Sequence, residues 1–171
     1  MSPTGLSLND LLPRLTLTEI AGRAVEARRE GPLPCEGVTF QSRWGAAIHP
    51  EGVAFEVLER VDLAGTAGQA IATISASVAV VFSLPESSRL EGQEESLAEL
   101  AGFAHLSAHP FLRSSIAALS AQIGLPIVTV GLLRAGSARP ESVTVADRVF
   151  HMDASPATGG SWRPSPRPAA P

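Results

Sequence analysis

The sequence predicts an α+β domain: a four-stranded antiparallel sheet, then two consecutive helices, then an extended C-terminal segment. Three observations predict it. Apolar side chains recur at every second residue through most of the first half, the period of a pleated strand. From Ser96 the period becomes helical. Gly124 and Pro126 then stop the helical pattern before Ile127.

The clearest strand runs from Ala70 to Leu84. Ala72, Ile74, Ala76, Val78, Val80, Phe82 and Leu84 share one face, and Thr73, Ser75, Ser77, Ala79, Val81 and Ser83 share the other. One face is therefore core and the other small and semi-polar. Upstream, Val53, Phe55, Val57, Val61 and Leu63 alternate with Glu56, Arg60 and Asp62, and Gly65 to Gly68 is short enough for a hairpin. Val38, Phe40, Ser42, Trp44, Ala46 and Ile48 alternate in the same way, and Pro50-Glu51-Gly52 supplies the turn. Leu15 to Arg28 is ambiguous. Leu15, Leu17 and Val25 suit a strand, whereas Glu19 to Arg28 could also wind as a helix; strand is the reading taken.

Pro85 to Glu95 is polar and charged, and predicts a solvated connection. Ser96 and Glu99 have capping-box spacing at the start of a helix whose buried stripe is Leu97, Leu100, Ala101 and Ala104. Pro110 lacks an amide proton and disfavours helical geometry at His109, so a break is expected there. A second helix then carries Leu112, Ile116, Leu119 and Ile123. Ile127 to Leu133 should be extended.

At 171 residues and 44% hydrophobic, the chain suffices for one domain with a substantial core. The boundaries read from it are an N-terminal extension over 1–14, the domain over 15–150, and a disordered Pro-rich tail over 151–171, where apolar periodicity is lost. A net charge of -4 excludes a nucleic-acid surface, which needs a basic stripe. All the basic residues are arginine, which we read as genomic base bias. No leader pattern and no run of roughly 20 apolar residues is present, so a cytoplasmic protein without membrane insertion is expected. Cys35, the single cysteine, reads as an ordinary loop thiol.

Enzyme motifs are wanting. There is no G-x-S-x-G elbow and no glycine-rich phosphate loop. His105-x-x-x-His109 could place two imidazoles on one helical face, which is metal-ligand geometry. The HExxH glutamate is missing and no third ligand is obvious nearby, so the reading is two helix-surface histidines and no metal. No enzyme and no cofactor are expected.

At three segments the chain resembles SecB and the SecB-like chaperones. They are Glu99-Leu100-Ala101-Gly102-Phe103-Ala104, His109-Pro110-Phe111-Leu112-Arg113, and Gly124-Leu125-Pro126-Ile127-Val128-Thr129-Val130. Pro110, Arg113, Gly124 and Pro126 hold the places of the family's Phe-Pro-Tyr-x-Arg-Glu element and of its Gly-x-Phe-Pro-x-Leu exit from the long helix. His109 and Ser114 replace the family's phenylalanine and acid, and Gly131-Leu132-Leu133 stands where the family has Pro-Val-Asn-Phe. The match spans Ser96 to Ala135.

The resemblance implies an ATP-independent holdase for unfolded or precursor polypeptides in protein export, assembled as a homotetramer, a dimer of dimers. Some relatives instead serve toxin–antitoxin modules. Partners implied are unfolded clients and either the export motor ATPase or an antitoxin. Acidic Glu86, Glu91, Glu94 and Glu95 would be a motor contact or a solvated loop. Trp44, Phe55, Phe82, Phe103 and Phe111 are the candidate client groove, against the alternative that they are core. Ser115, Ala118, Ala121 and Gln122 are the candidate oligomer interface, and Arg113 either pairs there or is solvated. The rival from another class is a small-molecule or lipid-binding α+β cup whose helix covers the sheet.

Overall fold

The computed structural model describes residues 8–85, 87–133, 140–151 and 163–164. A short helix α1 (Leu8–Leu11) and a 3-10 turn (Leu12–Arg14) lead into four long strands: β1 (Thr16–Arg29), β2 (Gly37–His49), β3 (Gly52–Ala64) and β4 (Ala70–Ser83). They form one antiparallel sheet in the order β1-β4-β3-β2. The ambiguous segment is thus a strand. A helix there would leave β4 unpaired along one side.

β2, β3 and β4 form a meander. Its first turn is tight, with His49 opposite Gly52, and its second closes through Gly65 and Gln69, helped by Gly68 at φ +76. Gly52 is a position where only glycine fits, because a Cβ would overlap the Phe82 carbonyl oxygen across the sheet. We expect Gly52→Ala to destabilise the protein by about 1–3 kcal/mol, the usual cost of overpacking, measured by urea denaturation.

Alternation in β3 sets the layers. Val53, Phe55, Val57, Glu59, Val61 and Leu63 are buried, while Glu56 and Arg60 are exposed. In register, Ile74, Val78, Val80 and Phe82 of β4 extend the same face. A single helix, α2 (Glu94–Gln122), covers it with Leu100, Ala101, Ala104, Ala108, Leu112, Ile116 and Leu119.

The expected break at Pro110 is not there: α2 runs through it. Pro110 is exposed, so its ring lies on the solvent side, where water can satisfy the carbonyl left without a donor. The capping box is also displaced. The helix opens at Glu94 with Gln93 as N-cap, and Ser96 lies inside the first turn, facing Gln93 Oε1 at 3.4 Å. Negative Glu94 and Glu95 suit that helix end.

The end of α2 follows expectation. Gly124 adopts φ +69, its amide donates to the Ala121 carbonyl, and the Leu125 amide donates to Ser120. That is the paired-bond left-handed stop, sealed by buried Leu125. From β1, Arg29 Nη1 donates to the Gly124 carbonyl at 2.6 Å.

Two further features depart from the sequence reading. The connection after β4 is not wholly solvated: it holds a 3-10 turn (Ser87–Leu90) whose Leu90 is fully buried and whose Ser87 hydroxyl donates to the His49 carbonyl. Beyond α2, the extended segment is only β5 (Val128–Val130), the first strand of a second antiparallel sheet with β6 (Ser142–Val145), β7 (Arg148–His151) and β8 (Arg163–Pro164). Val128, Val130, Val143, Val145 and Phe150 join the core. Of the tail expected to be disordered over 151–171, His151 closes β7 and Arg163–Pro164 pair with β7, while 152–162 and 165–171 lie outside the described residues.

Arg148 ties the second sheet to the β1–β2 connection, through Glu36 at 2.7 Å and the Cys35 carbonyl at 2.9 Å. Cys35 itself is buried, and burial pushes its thiol up, as befits an inert side chain.

Candidate functional site

Two regions carry features that packing alone does not require. The first is the surface around the edges of the large sheet and the outer side of α2. The second is a buried polar cluster between α2 and β3.

β1 and β2 are both edge strands, 14 and 13 residues long, and each presents one side of its backbone without a partner strand among the described residues. α2 shields the middle of the sheet more than its flanks. Leu17 and Val25 on β1 and Trp44 on β2 therefore remain exposed, Trp44 to 47%. Trp44 heads an aromatic ladder that runs inward. It meets Phe55 edge-on at 6.0 Å, and Phe55 meets Phe82 at 6.2 Å.

The candidate groove residues thus separate. Phe55 and Phe82 are core, 0% and 4% exposed, and a client cannot reach them in this fold. They face α2 because their register puts them on the covered side of the sheet. Phe103 and Phe111 stay accessible on the outer side of α2, as does Trp44 at the sheet's flank. Of the candidate interface residues, Ala118, Ala121 and Gln122 are exposed and Ser115 is half-buried. Among the acids of the connection, Glu91, Glu94 and Glu95 are exposed, and Glu86 lies outside the described residues.

From Gly102 to Gln122 the only acid or arginine is Arg113, which is half-buried. From Gly102 onward the outer face of α2, with Gly102, Phe103, Pro110, Phe111, Ser114, Ala118 and Ala121, is uncharged. Helix faces that meet only water usually carry charge.

The second region corrects the reading of the two histidines. His105 and His109 lie on the buried stripe of α2, 5% and 4% exposed, not on its surface. Four residues apart, they point to one side of the helix and meet Glu59 of β3, which is fully buried. Glu59 Oε1 lies 2.8 Å from His105 Nε2 and 2.8 Å from His109 Nδ1. His109 Nε2 lies 2.8 Å from the Gly131 carbonyl, and Ser42 Oγ is 3.4 Å from His105 Nε2.

Proton accounting constrains this cluster. A ring nitrogen can face a carbonyl only as a donor, so His109 Nε2 carries hydrogen and donates to Gly131. Nδ1 then confronts a carboxylate oxygen, and a positive species must lie between them. With a proton alone, the raised pKa of His109 and the lowered pKa of Glu59 favour its place on the imidazole over the carboxyl. Burial pulls its pKa down, but the hydrogen bond and charge of Glu59 outweigh that and raise it. Burial pushes Glu59 up, and the hydrogen bonds and charges of the two imidazoles outweigh it and hold the carboxyl below its usual range. Glu59 Oε2 is buried with no hydrogen-bond partner.

Glu59 was legible in principle. It falls on the i, i+2 series Val53, Phe55, Val57, Val61, Leu63, so the alternation itself places a carboxylate on the core face. Gly131 had no such signal, since it reaches His109 only through the strand that follows α2.

The arrangement of β1 to β4 and α2 is one already known. No protein-family model and no curated protein matches the chain. Among solved structures, the chain is similar to the Mycobacterium tuberculosis SecB-like chaperone Rv1957, determined in complex with a ChAD peptide from the antitoxin HigA1. The similarity has a TM-score of 0.57 at 20% identity and covers 72% of this chain and 93% of that one. The four-stranded antiparallel sheet covered by a long helix is therefore the SecB-like fold expected, with one continuous helix in place of the two read from the sequence.

Proposed function

We propose that this protein is an ATP-independent chaperone that holds unfolded polypeptides in extended form. The observation that carries this reading is the pairing of a SecB-like fold with long edge strands beside exposed apolar side chains, Leu17, Val25 and Trp44. An edge strand offers backbone hydrogen bonds that any extended chain can use, and neighbouring apolar side chains add affinity without demanding one sequence. No catalytic group is required. The test is light scattering of an aggregating, chemically unfolded reporter titrated with the protein in the absence of nucleotide. Aggregation should be delayed at stoichiometric chaperone; an unchanged time course at excess would remove this reading.

Within it, export and antitoxin protection are separate duties. The solved neighbour holds an antitoxin peptide, which favours the second. The acidic residues Glu91, Glu94 and Glu95 are exposed and suit a basic surface on an export motor, which is the support for the first. The cup is disfavoured. Leu100, Ala104, Ala108, Leu112 and Ile116 are fully buried where α2 meets the sheet, which is where a cup would hold its ligand.

A homo-oligomer, a dimer of dimers, belongs to the same proposal. The uncharged outer face of α2 from Gly102 onward supports it, and small residues such as Ala118 and Ala121 allow close approach of a second copy. Ala118→Arg is expected to lower the mass found by light scattering while circular dichroism stays near wild type, because an unpaired guanidinium buried at a contact costs several kcal/mol. An unchanged mass would move the interface elsewhere.

A further inference from the structure

The buried cluster does not serve client binding, since none of its side chains reaches the surface. We propose that Glu59, His105 and His109 form a structural binding site for a divalent transition metal, with zinc the best fit to two imidazoles and a carboxylate.

The donor set, its spacing and its outer contacts agree. One donor atom from each residue lies within 4.8 Å of the others. Around zinc, with bonds of about 2.0–2.1 Å, donors sit about 3.3 Å apart, so the 2.8 Å contacts to Glu59 Oε1 would open by about half an ångström while the two imidazole nitrogens, within 4.8 Å of each other, adjust toward that spacing. Glu59 has the freedom to do so, because its second oxygen is committed to nothing else. Two histidines four apart on a helix, joined by a carboxylate from a second element, form a set used repeatedly for zinc.

His109 is also prepared in the manner of a ligand. Its Nε2–H donates to the Gly131 carbonyl, which fixes the tautomer and turns the Nδ1 lone pair toward Glu59. The positive species that must lie between Nδ1 and the carboxylate can then be a metal ion. Ser42 Oγ, 3.4 Å from His105 Nε2, is a further oxygen beside the cluster. A metal here would bridge α2 to β3, stabilising the packing of helix on sheet. Its burial leaves no open face for substrate, which makes the role structural.

The test uses the full chain, unfolded in denaturant with a chelator and refolded with or without Zn2+ or Co2+. One ion per chain should be retained after desalting. Co2+ should give the intense visible bands of a tetrahedral site, and Zn2+ should raise the melting temperature by mass action. His109→Gln and Glu59→Gln should weaken binding more than about a hundredfold, beyond what loss of an outer contact costs. A double variant at the remaining histidines, His49→Ala with His151→Ala, should bind as wild type does. Because the Co2+ spectrum is read on wild type, misfolding of a ligand variant leaves the result decisive. Refolded wild type without stoichiometric metal, or binding lost only in the His49 and His151 variant, would overturn the proposal and leave a protonated ion pair as the occupant.

Discussion

Glu59→Ala, measured in chelator so that only protons occupy the cluster, is expected to lower stability by about 3–5 kcal/mol. The variant leaves two imidazoles buried with no carboxylate beside them. The pH dependence should also change shape. In wild type, the depressed carboxyl of Glu59 contributes stability that is present above its unfolded value near 4.5 and is lost as pH falls through the lower folded value. The raised His109 contributes stability that is complete below 6.5 and is lost as pH rises through its higher folded value.

Wild type should therefore be most stable in the window between those two unfolded values. Without Glu59, only the hydrogen bond to the Gly131 carbonyl opposes the burial of charged His109, and the alkaline limb should reverse. The variant should gain stability from about pH 5 to about pH 8, where imidazole is neutral. Urea midpoints at both pH values decide this. A variant with the same pH profile as wild type would mean that Glu59 and His109 are not coupled.

Phe55→Ala is the second large expected effect, about 3–5 kcal/mol, or roughly 10 °C in melting temperature for a chain of this size. Phe55 is fully buried at the centre of the ladder, touching both Trp44 and Phe82, so truncation leaves a cavity that neither β3 nor α2 can close. Trp44→Ala, at the exposed end of the same ladder, should cost far less stability and yet weaken suppression of aggregation. Circular dichroism melts alongside the light-scattering assay separate the two. If Phe55→Ala keeps its melting temperature, the assignment of Phe55 to the core fails.

The large sheet was legible because burial on one face writes itself as a two-residue period. β3 shows it without a gap, and the same period that identified its apolar residues also placed Glu59 among them. Reading only the apolar members concealed the carboxylate, and with it the third group of the cluster. The histidines were legible as a pair but not as buried, since a helix face is known to be covered only once its partner sheet is placed.

Pro110 misled for a different reason. Its local preference to break a helix is real, but the covered stripe continues from Ala104 through Ala108 to Leu112, and burying it without interruption outweighs one lost hydrogen bond. The second sheet was hidden by length. β6 and β7 have four residues each, too few for a period to stand out, and their turn depends on Ala146 at φ 56, a conformation that alanine does not advertise.

Recognition of unfolded over folded chains is the property on which the functional reading rests. It is measured most directly by binding one polypeptide in two states, once native and once reduced and alkylated so that it cannot fold, to the full-length protein by fluorescence anisotropy. A chaperone of extended chains should bind the unfolded form and leave the native form free, with Trp44→Ala weakening the first. Equal affinity for both states, or none for either, would contradict it.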